Sequence, residues 1–455
     1  MTKDVKGRML APPPTMRAYQ LIVVVLCCLI NVADGFDVVS LAVAAPALTR
    51  EWGVDPAVLG AMFSAGACGL VIGAFVIGPM ADKFGRRPIM LGALGTLATM
   101  LLLSGMAADI WQLLVCRTIT GIGLGTLVVC LNTTVAEYAS DKSRNMALAI
   151  LHIGFSSGSM LGSAIAAVAL HQGSWRMIFF AAGGINMVTF VASIFLLGES
   201  REFLARRQAP GDLDRINRLN RRMHIPELTE LPRRPVEAKE RGSAIRLMLA
   251  PEIRAQTLLI WMASVTYALV GYFIMNWKPT ILANAGLSPS MAAAAGVLTG
   301  AFGTAGHLSF GVLGRRVGEI RLTMWCLIGA AVTLVVFGSM PPEPLPLVLV
   351  AGLTSFFVVG AYTGFFLIAV VMYPPAIQNA GVGFIVGFGR VGAVIGPALG
   401  GFLLSAGLSR MDTYYVFAVI AVIPAVTMYV AYRLTKRGAS TSDPHESQVP
   451  AAEAI

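Results

Sequence analysis

Four ionisable residues lie inside stretches of the chain that are otherwise apolar. Asp34 and Asp37 stand three residues apart in "NVADGFDVVS" (31–40), within an apolar run that opens at Leu21. Arg117 begins "RTITGIGLG", and Arg390 sits in the glycine-rich "GFGRVGAVIG". A carboxyl group in such surroundings is costly as an anion, and how readily it ionises is set by burial and neighbouring charge, so it can take up and release a proton. An arginine there can hold a carboxylate bidentately. The chemistry these residues suggest is the joint handling of a proton and an organic acid. A spacing of three puts both aspartates on one face of a helix. At about 1.5 Å per residue, Asp34 lies roughly 20 Å from the helix start near Gln20, and Arg117 roughly 9 Å from the opposite end of its own helix near Trp111. In an apolar slab about 30 Å thick these depths coincide, so Asp34 and Arg117 are predicted to face one cavity and to pair, directly or through water. The plainer alternative is a static buried salt bridge. Tyr362 is a candidate hydrogen-bond donor to a ring substituent. Phe36 is a candidate flat wall, one of several aromatics (Phe155, Tyr272, Phe366 and Phe388 among them) most of which simply pack. His152 and His307 fall in the same kind of stretch as possible proton relays, with a packing role the more ordinary reading.

These side chains need long apolar helices to carry them. Of 455 residues, 56% are hydrophobic and 13% charged, and the mean hydropathy is +0.73. A soluble domain carries about 25% charged residues, so the composition points to a polytopic membrane protein. Apolar stretches of spanning length fall at 20–47, 57–80, 88–108, 111–136, 146–170 and 176–197, and again at 254–282, 290–313, 321–340, 344–372, 380–405 and 413–433. The expected organisation is a cytoplasmic segment 1–19, a six-helix unit 20–198, a linker 199–253 rich in Arg, Pro and Glu, a second six-helix unit 254–433, and a disordered cytoplasmic tail 434–455. The first apolar run is too long for a signal peptide and is expected to be retained. Lys and Arg collect on the side of both termini, in "DKFGRR", "SDKSRN", "GRRVGEIR" and "YRLTKRGAS". That places both termini in the cytoplasm and explains the net charge of +10 without nucleic acid. The six cysteines read as buried thiols. No P-loop, metal-ligand cluster or catalytic triad is apparent. An enzyme, a cofactor and a bound metal are therefore not expected, and energy must come from a gradient.

The two halves repeat. "GPMADKFGRRP" from Gly78 matches "GVLGRRVGEIR" from Gly311 at an offset of 233, which aligns Gly85 with Gly318; Gly158 and Gly162 match Gly392 and Gly396 at 234. A parallel duplication of a six-helix unit follows. The first of these loops resembles the signature loop of the major facilitator superfamily, with Gly78, Asp82, Gly85, Arg86 and Arg87 at the family's positions; "RTITGIGLG" resembles a second signature on the fourth span. The resemblance implies an all-α fold of 12 transmembrane helices in two pseudo-symmetric six-helix bundles. It also implies that the loop latches the halves in the outward-open state. Glu137 and Arg144 are expected to join that charge network. In the second copy Arg315 stands where Asp82 would be.

"DGFD", with "NWKPTILANAGLS" (276–288) and "YPPAIQNAGVGFIVGFGRVGAVIGPALGG" (373–401), resembles the aromatic acid:proton symporter family, which includes 4-hydroxybenzoate, benzoate and protocatechuate permeases. That implies uptake of an aromatic carboxylate by proton symport, with Asp34 and Asp37 needed for transport. Arg390 is expected to bind the acid together with Arg117, Tyr362 and Phe36. The chain departs from the family at Lys278, where a hydrophobic residue is common, and at Gln378, where arginine is. The expected partners are a small aromatic carboxylate, protons and the lipid bilayer, with no nucleic acid, in a monomer of a bacterial inner membrane. An exporter or antiporter of drugs or metabolites, and a non-transporting sensor on the same scaffold, are the alternatives.

Overall fold

The computed structural model describes residues 10, 16–140, 142–232, 245–251, 253–373 and 377–441. The side chains of Arg315, Phe366 and Gln378, singled out above, lie outside the described residues. Among the described residues, twelve long helices follow the apolar runs. They are α1 (Ala18–Trp52), α2 (Pro56–Phe84), α3 (Arg86–Gly105), α4 (Ile110–Tyr138), α5 (Arg144–His171) and α6 (Arg176–Leu196), then α9 (Arg254–Asn284), α10 (Pro289–Val317), α11 (Glu319–Ser339), α12 (Pro344–Met372), α13 (Gln378–Ser405) and α14 (Arg410–Thr441). Two short helices, α7 (Arg201–Arg207) and α8 (Asp212–Met223), stand between the halves. Eleven of the long helices have both the length and the hydropathy to cross a membrane. The twelfth, α10, is as long as its neighbours but rich in Ala, Gly and Thr and holds His307, which lowers its hydropathy. α14 continues to Thr441, past the expected boundary at 433 and into the tail predicted to be disordered.

Local chemistry sets the helix starts. Asp55 and Ser288 accept hydrogen bonds from backbone N–H groups at the openings of α2 and α10, each with a proline in the first turn. Asp109 does the same for α4, accepting from Trp111 and Gln112 at 2.8 and 2.9 Å.

The halves pack alike. α1 lies on α5 as α9 lies on α13; α2 lies on α4 as α10 lies on α12; α3 lies on α6 as α11 lies on α14. The repeat extends to atoms. Gly158 abuts the backbone of Val32 and Gly392 that of Val265; Gly162 abuts Phe36 and Gly396 abuts Leu269. Both partner pairs are offset by 233, as are Gly85 and Gly318, which turn the chain at φ +105° and +91°, where a side chain would be strained. Pro46 inside α1 and Pro279 inside α9 share the same offset.

Without a hydrophobic drive between helices in lipid, such seams depend on close backbone approach. A Cβ at Gly158 would sit 1.9 Å from the Val32 carbonyl oxygen. Gly158→Ala is therefore expected to force α1 and α5 apart and cost about 1–3 kcal/mol. A drop of several degrees in the melting temperature of detergent-purified protein is the readout.

The halves meet through α2 against α13, α5 against α10, and α1 against α9. Among the described residues, close contacts between halves gather at the end away from the termini. Ser405 donates to Asp55 at 3.0 Å, Ser64 to the Val394 carbonyl at 2.6 Å, and Ser290 to the Ala167 carbonyl at 2.7 Å. Gly60 and Gly401 bring α2 and α13 into backbone contact there. That end is closed.

Candidate substrate and proton site

The glycine seam between α1 and α5 fixes the height and facing of the two aspartates. Gly35 lies against the Phe155 carbonyl, and Ser159 donates to the Gly35 carbonyl at 3.0 Å. Asp37 is fully buried and takes Arg117: the guanidinium Nη1 donates to its Oδ1 at 2.5 Å, Nη2 to its backbone carbonyl at 3.3 Å, and Ser40 completes the cluster at 3.4 Å from Nη1. The Phe179 ring lies 5.9 Å from the guanidinium carbon. Asp34, one turn earlier, is 1% exposed, and neither carboxyl oxygen has a hydrogen-bond partner among the described residues. The structure thus gives Arg117 to Asp37 and not to Asp34, as the depth estimate had it. Asp34 and Asp37 differ in height by only about 4.5 Å, and the longer reach of arginine decides between them.

Phe36, expected as a wall of the binding site, is 1% exposed and its ring fills the notch at Gly162. It belongs to the α1–α5 seam. Arg117, sealed beside Asp37, is likewise turned away from open space.

The second half presents a different cation. Arg390, half-buried on α13, donates to the Tyr272 hydroxyl of α9 at 2.9 Å, and no carboxylate lies within ion-pair range of it among the described residues. Tyr362 stands on α12 of the same bundle. Tyr362 is 43% exposed although it stands deep in the bundle, with its ring 6.3 Å from Tyr267 and 6.4 Å from His307. The Nδ1 of His307 is 2.6 Å from Thr363 Oγ1. Beside them Trp261 stacks on Phe388 at 4.3 Å and on Phe384 at 5.6 Å. A guanidinium, two phenols and flat aromatic faces together suit an aromatic acid.

The loop between α2 and α3 is wired within the first half. Arg86 pairs with Glu137 of α4 and lies 3.7 Å from Asp82. Arg87 donates to the Ile194 carbonyl at 2.8 Å. Gly78 fits against Val129 of α4, and Gly85 makes the turn. The Asp82 side chain is 58% exposed. Arg144 opens α5 half-buried. Two participants were not anticipated. Glu199, just after α6, accepts from the backbone N–H groups of Arg86 and Arg87 at 2.9 and 3.2 Å and so caps α3. Ser200 donates to Glu137 at 2.6 Å. An acidic residue directly after a span and facing a basic loop was the available signal.

The family model of the Major Facilitator Superfamily matches residues 27–370 and 260–454. The chain belongs to the Major Facilitator Superfamily. Among curated proteins this facilitator is 32% identical to the gallate transporter of Pseudomonas putida, covering 86% of this chain and 87% of that one. It is 29% identical to the 4-hydroxybenzoate transporter PcaK of Pseudomonas aeruginosa, over 89% and 90% of the two chains. With the benzoate transport protein of Acinetobacter baylyi it shares 25% identity over 94% and 93%. Among solved structures the facilitator is similar to a bacterial homolog of the human lysosomal transporter Spinster in an inward-facing, unoccupied conformation (TM-score 0.67, 15% identity, 93% and 98% of the chains). It is also similar to the nucleoside transporter NupG (TM-score 0.68, 13% identity, 92% and 100%). These two likenesses show the same all-helical fold, and with the family match and the candidate spans they accord with a multi-pass membrane protein.

Proposed function

We propose that this facilitator imports an aromatic carboxylic acid together with a proton by alternating access. The observation that carries the reading is Arg390, a guanidinium deep in the bundle whose described partner is a tyrosine hydroxyl and not an acid. Intramembrane charges of that kind mark substrate pathways. The relatives, named for gallate, 4-hydroxybenzoate and benzoate, support an aromatic carboxylate as the anion.

Asp34 carries the proton in this scheme. An isolated ionised carboxylate in a dry interior is far more expensive than a neutral carboxyl, and among the described residues no hydrogen-bond donor or ion-pair partner offsets that cost at Asp34. Asp37 keeps Arg117 neutralised close by, so a change in the spacing of α1 and α4 alters the field at Asp34. The basic end, with both termini, faces the cytoplasm by the positive-inside tendency. The closed end then faces outward, and the arrangement is the inward-facing half of the cycle. The bundles 20–198 and 254–433 rock as bodies, joined by the linker 199–253. In the outward-facing half, the exposed carboxylate of Asp82 is free to latch onto the second bundle. The working unit is a monomer in a bacterial inner membrane.

Binding of 4-hydroxybenzoate and gallate to purified protein tests the reading. Arg390→Ala is expected to weaken binding roughly ten- to hundredfold, the worth of a charge-assisted hydrogen bond, with Arg390→Lys intermediate because a point charge replaces the fork. Unaltered affinity in Arg390→Ala would remove the residue from the site.

A further inference from the structure

The scheme above leaves the cation of Lys278 unused. Lys278, noted above as a departure from the family, lies inside α9, six residues before the end where a charge would ordinarily reach the helix mouth. Its ammonium group instead turns into the second bundle. It donates to Thr299 Oγ1 of α10 at 2.7 Å and lies 3.4 Å from Ser355 Oγ of α12. No carboxylate is within ion-pair range of it among the described residues. Thr299 and Ser355 are buried, while Lys278 keeps partial access to open space.

Two neutral hydroxyls position an ammonium group but do not neutralise it. A glutamine would tie the three helices together without the cost of a charge. The repeat argues the same way. Pro279 matches Pro46, so Lys278 matches Ala45, and Arg390 matches Ser156. Both second-half cations lack a counterpart in the first half, so neither is a packing requirement of the repeated unit.

Their relative placement is readable from two helices. Lys278 follows Tyr272, the partner of Arg390, by six residues, about 9 Å along α9. Ser355 precedes Tyr362 by seven residues, which keeps both on one face of α12 about 10 Å apart. The two displacements agree. The Lys278 cluster therefore stands about 9–10 Å outward of the Arg390 cluster, with Ser355 on the α12 face that carries Tyr362, a separation that places a whole ring between two anionic groups.

We propose that Lys278, Thr299 and Ser355 form a second anion subsite, and that the preferred cargo is an aromatic acid bearing a second carboxylate at the opposite end of its ring. This rests on the aromatic-acid reading and narrows it. One carboxylate meets Arg390 and Tyr272, the ring lies along Tyr362, and the other carboxylate accepts from the Lys278 ammonium and the Ser355 hydroxyl. Neighbouring carboxylates on one ring cannot span the two cations.

Isothermal titration of the purified full chain at pH 7 tests this with benzoate, benzene-1,2-dicarboxylate and benzene-1,4-dicarboxylate. The 1,4-diacid is expected to bind at least about tenfold tighter than the other two. Lys278→Met should bring the affinity ratio of 1,4-diacid to benzoate close to one, and Lys278→Arg should preserve the preference. A ratio does not depend on the folded fraction. If Lys278→Met gives no folded protein, the paired change Ser355→Ala with Thr299→Val reads the same ratio and should lower it. Equal wild-type affinity for benzoate and the 1,4-diacid, or a preference that survives Lys278→Met, overturns the subsite and leaves the aromatic-acid reading standing. Failure of the wild type to bind these acids, 4-hydroxybenzoate or gallate overturns both.

Discussion

Replacing Asp34 by asparagine is expected to abolish accumulation of the acid against a gradient while leaving exchange of acid for acid in place. Asparagine keeps the shape of the side chain but cannot carry a proton. Neither oxygen of Asp34 has a partner to lose, so the change breaks no described hydrogen bond and the fold should persist. The size of the loss follows from linkage. One proton moving with one monoanion is electroneutral, so only the pH difference drives accumulation, at tenfold per pH unit. With two pH units imposed across proteoliposomes, the wild type should hold about a hundredfold internal excess and Asp34→Asn none. Counterflow of labelled acid into preloaded vesicles, which needs no net proton movement, should survive. Wild-type accumulation by Asp34→Asn would place the coupling proton elsewhere, and loss of counterflow as well would make Asp34 part of the anion site.

The sign of the pH dependence separates the proposed symporter from an exporter on the same scaffold. Acidifying the outside raises the chance that Asp34 is loaded before the bundles rock, so uptake should rise as external pH falls. An antiporter that trades internal substrate for external protons would show net efflux under the same gradient.

Much of the architecture could be read from residue order because it depends on length and small residues. Apolar runs set the helix ends to within about five residues, the overrun of α14 to Thr441 apart, and the offset of 233 between Gly85 and Gly318 reappears in their shared left-handed turn and in the matched seams at Val32 and Val265. Rotation about a helix axis was less legible. Depth counting set Arg117 level with Asp34, and only the packed side chain shows that it meets Asp37, one turn on. The same limit applied to Phe36, which an aromatic inventory offers to the substrate and which the Gly162 notch claims. Lys278 precedes a proline and lies close to a span end, which reads as a surface charge. The helix continues through Pro279, and the lysine points inward to Thr299. Glu199 and Ser200 went unnoticed because their partners, the capping N–H groups of α3 and the carboxylate of Glu137, are more than 60 residues away in the chain.

The second large effect belongs to the Asp37–Arg117 pair, and it follows from the pair being sealed. Removing one member leaves the other as an uncompensated charge in the first bundle, which costs about 3–5 kcal/mol, whereas removing both leaves only a cavity. Arg117→Ala and Asp37→Ala should each lower the melting temperature of the purified protein severely, and the double variant should melt above either single one. That non-additivity distinguishes a mutual neutralisation from two independent packing roles, which would simply sum. It also separates the two aspartates. Asp37 holds a fixed charge balance that the fold requires, and its neutral variant fails as a protein. In the proposed cycle Asp34 holds a balance that changes, and its neutral variant is expected to fold but to fail as a coupled transporter. If the double variant proves no more stable than the singles, Arg117 has another anionic partner, and the account of a quiet pair beside a working carboxylate fails with it.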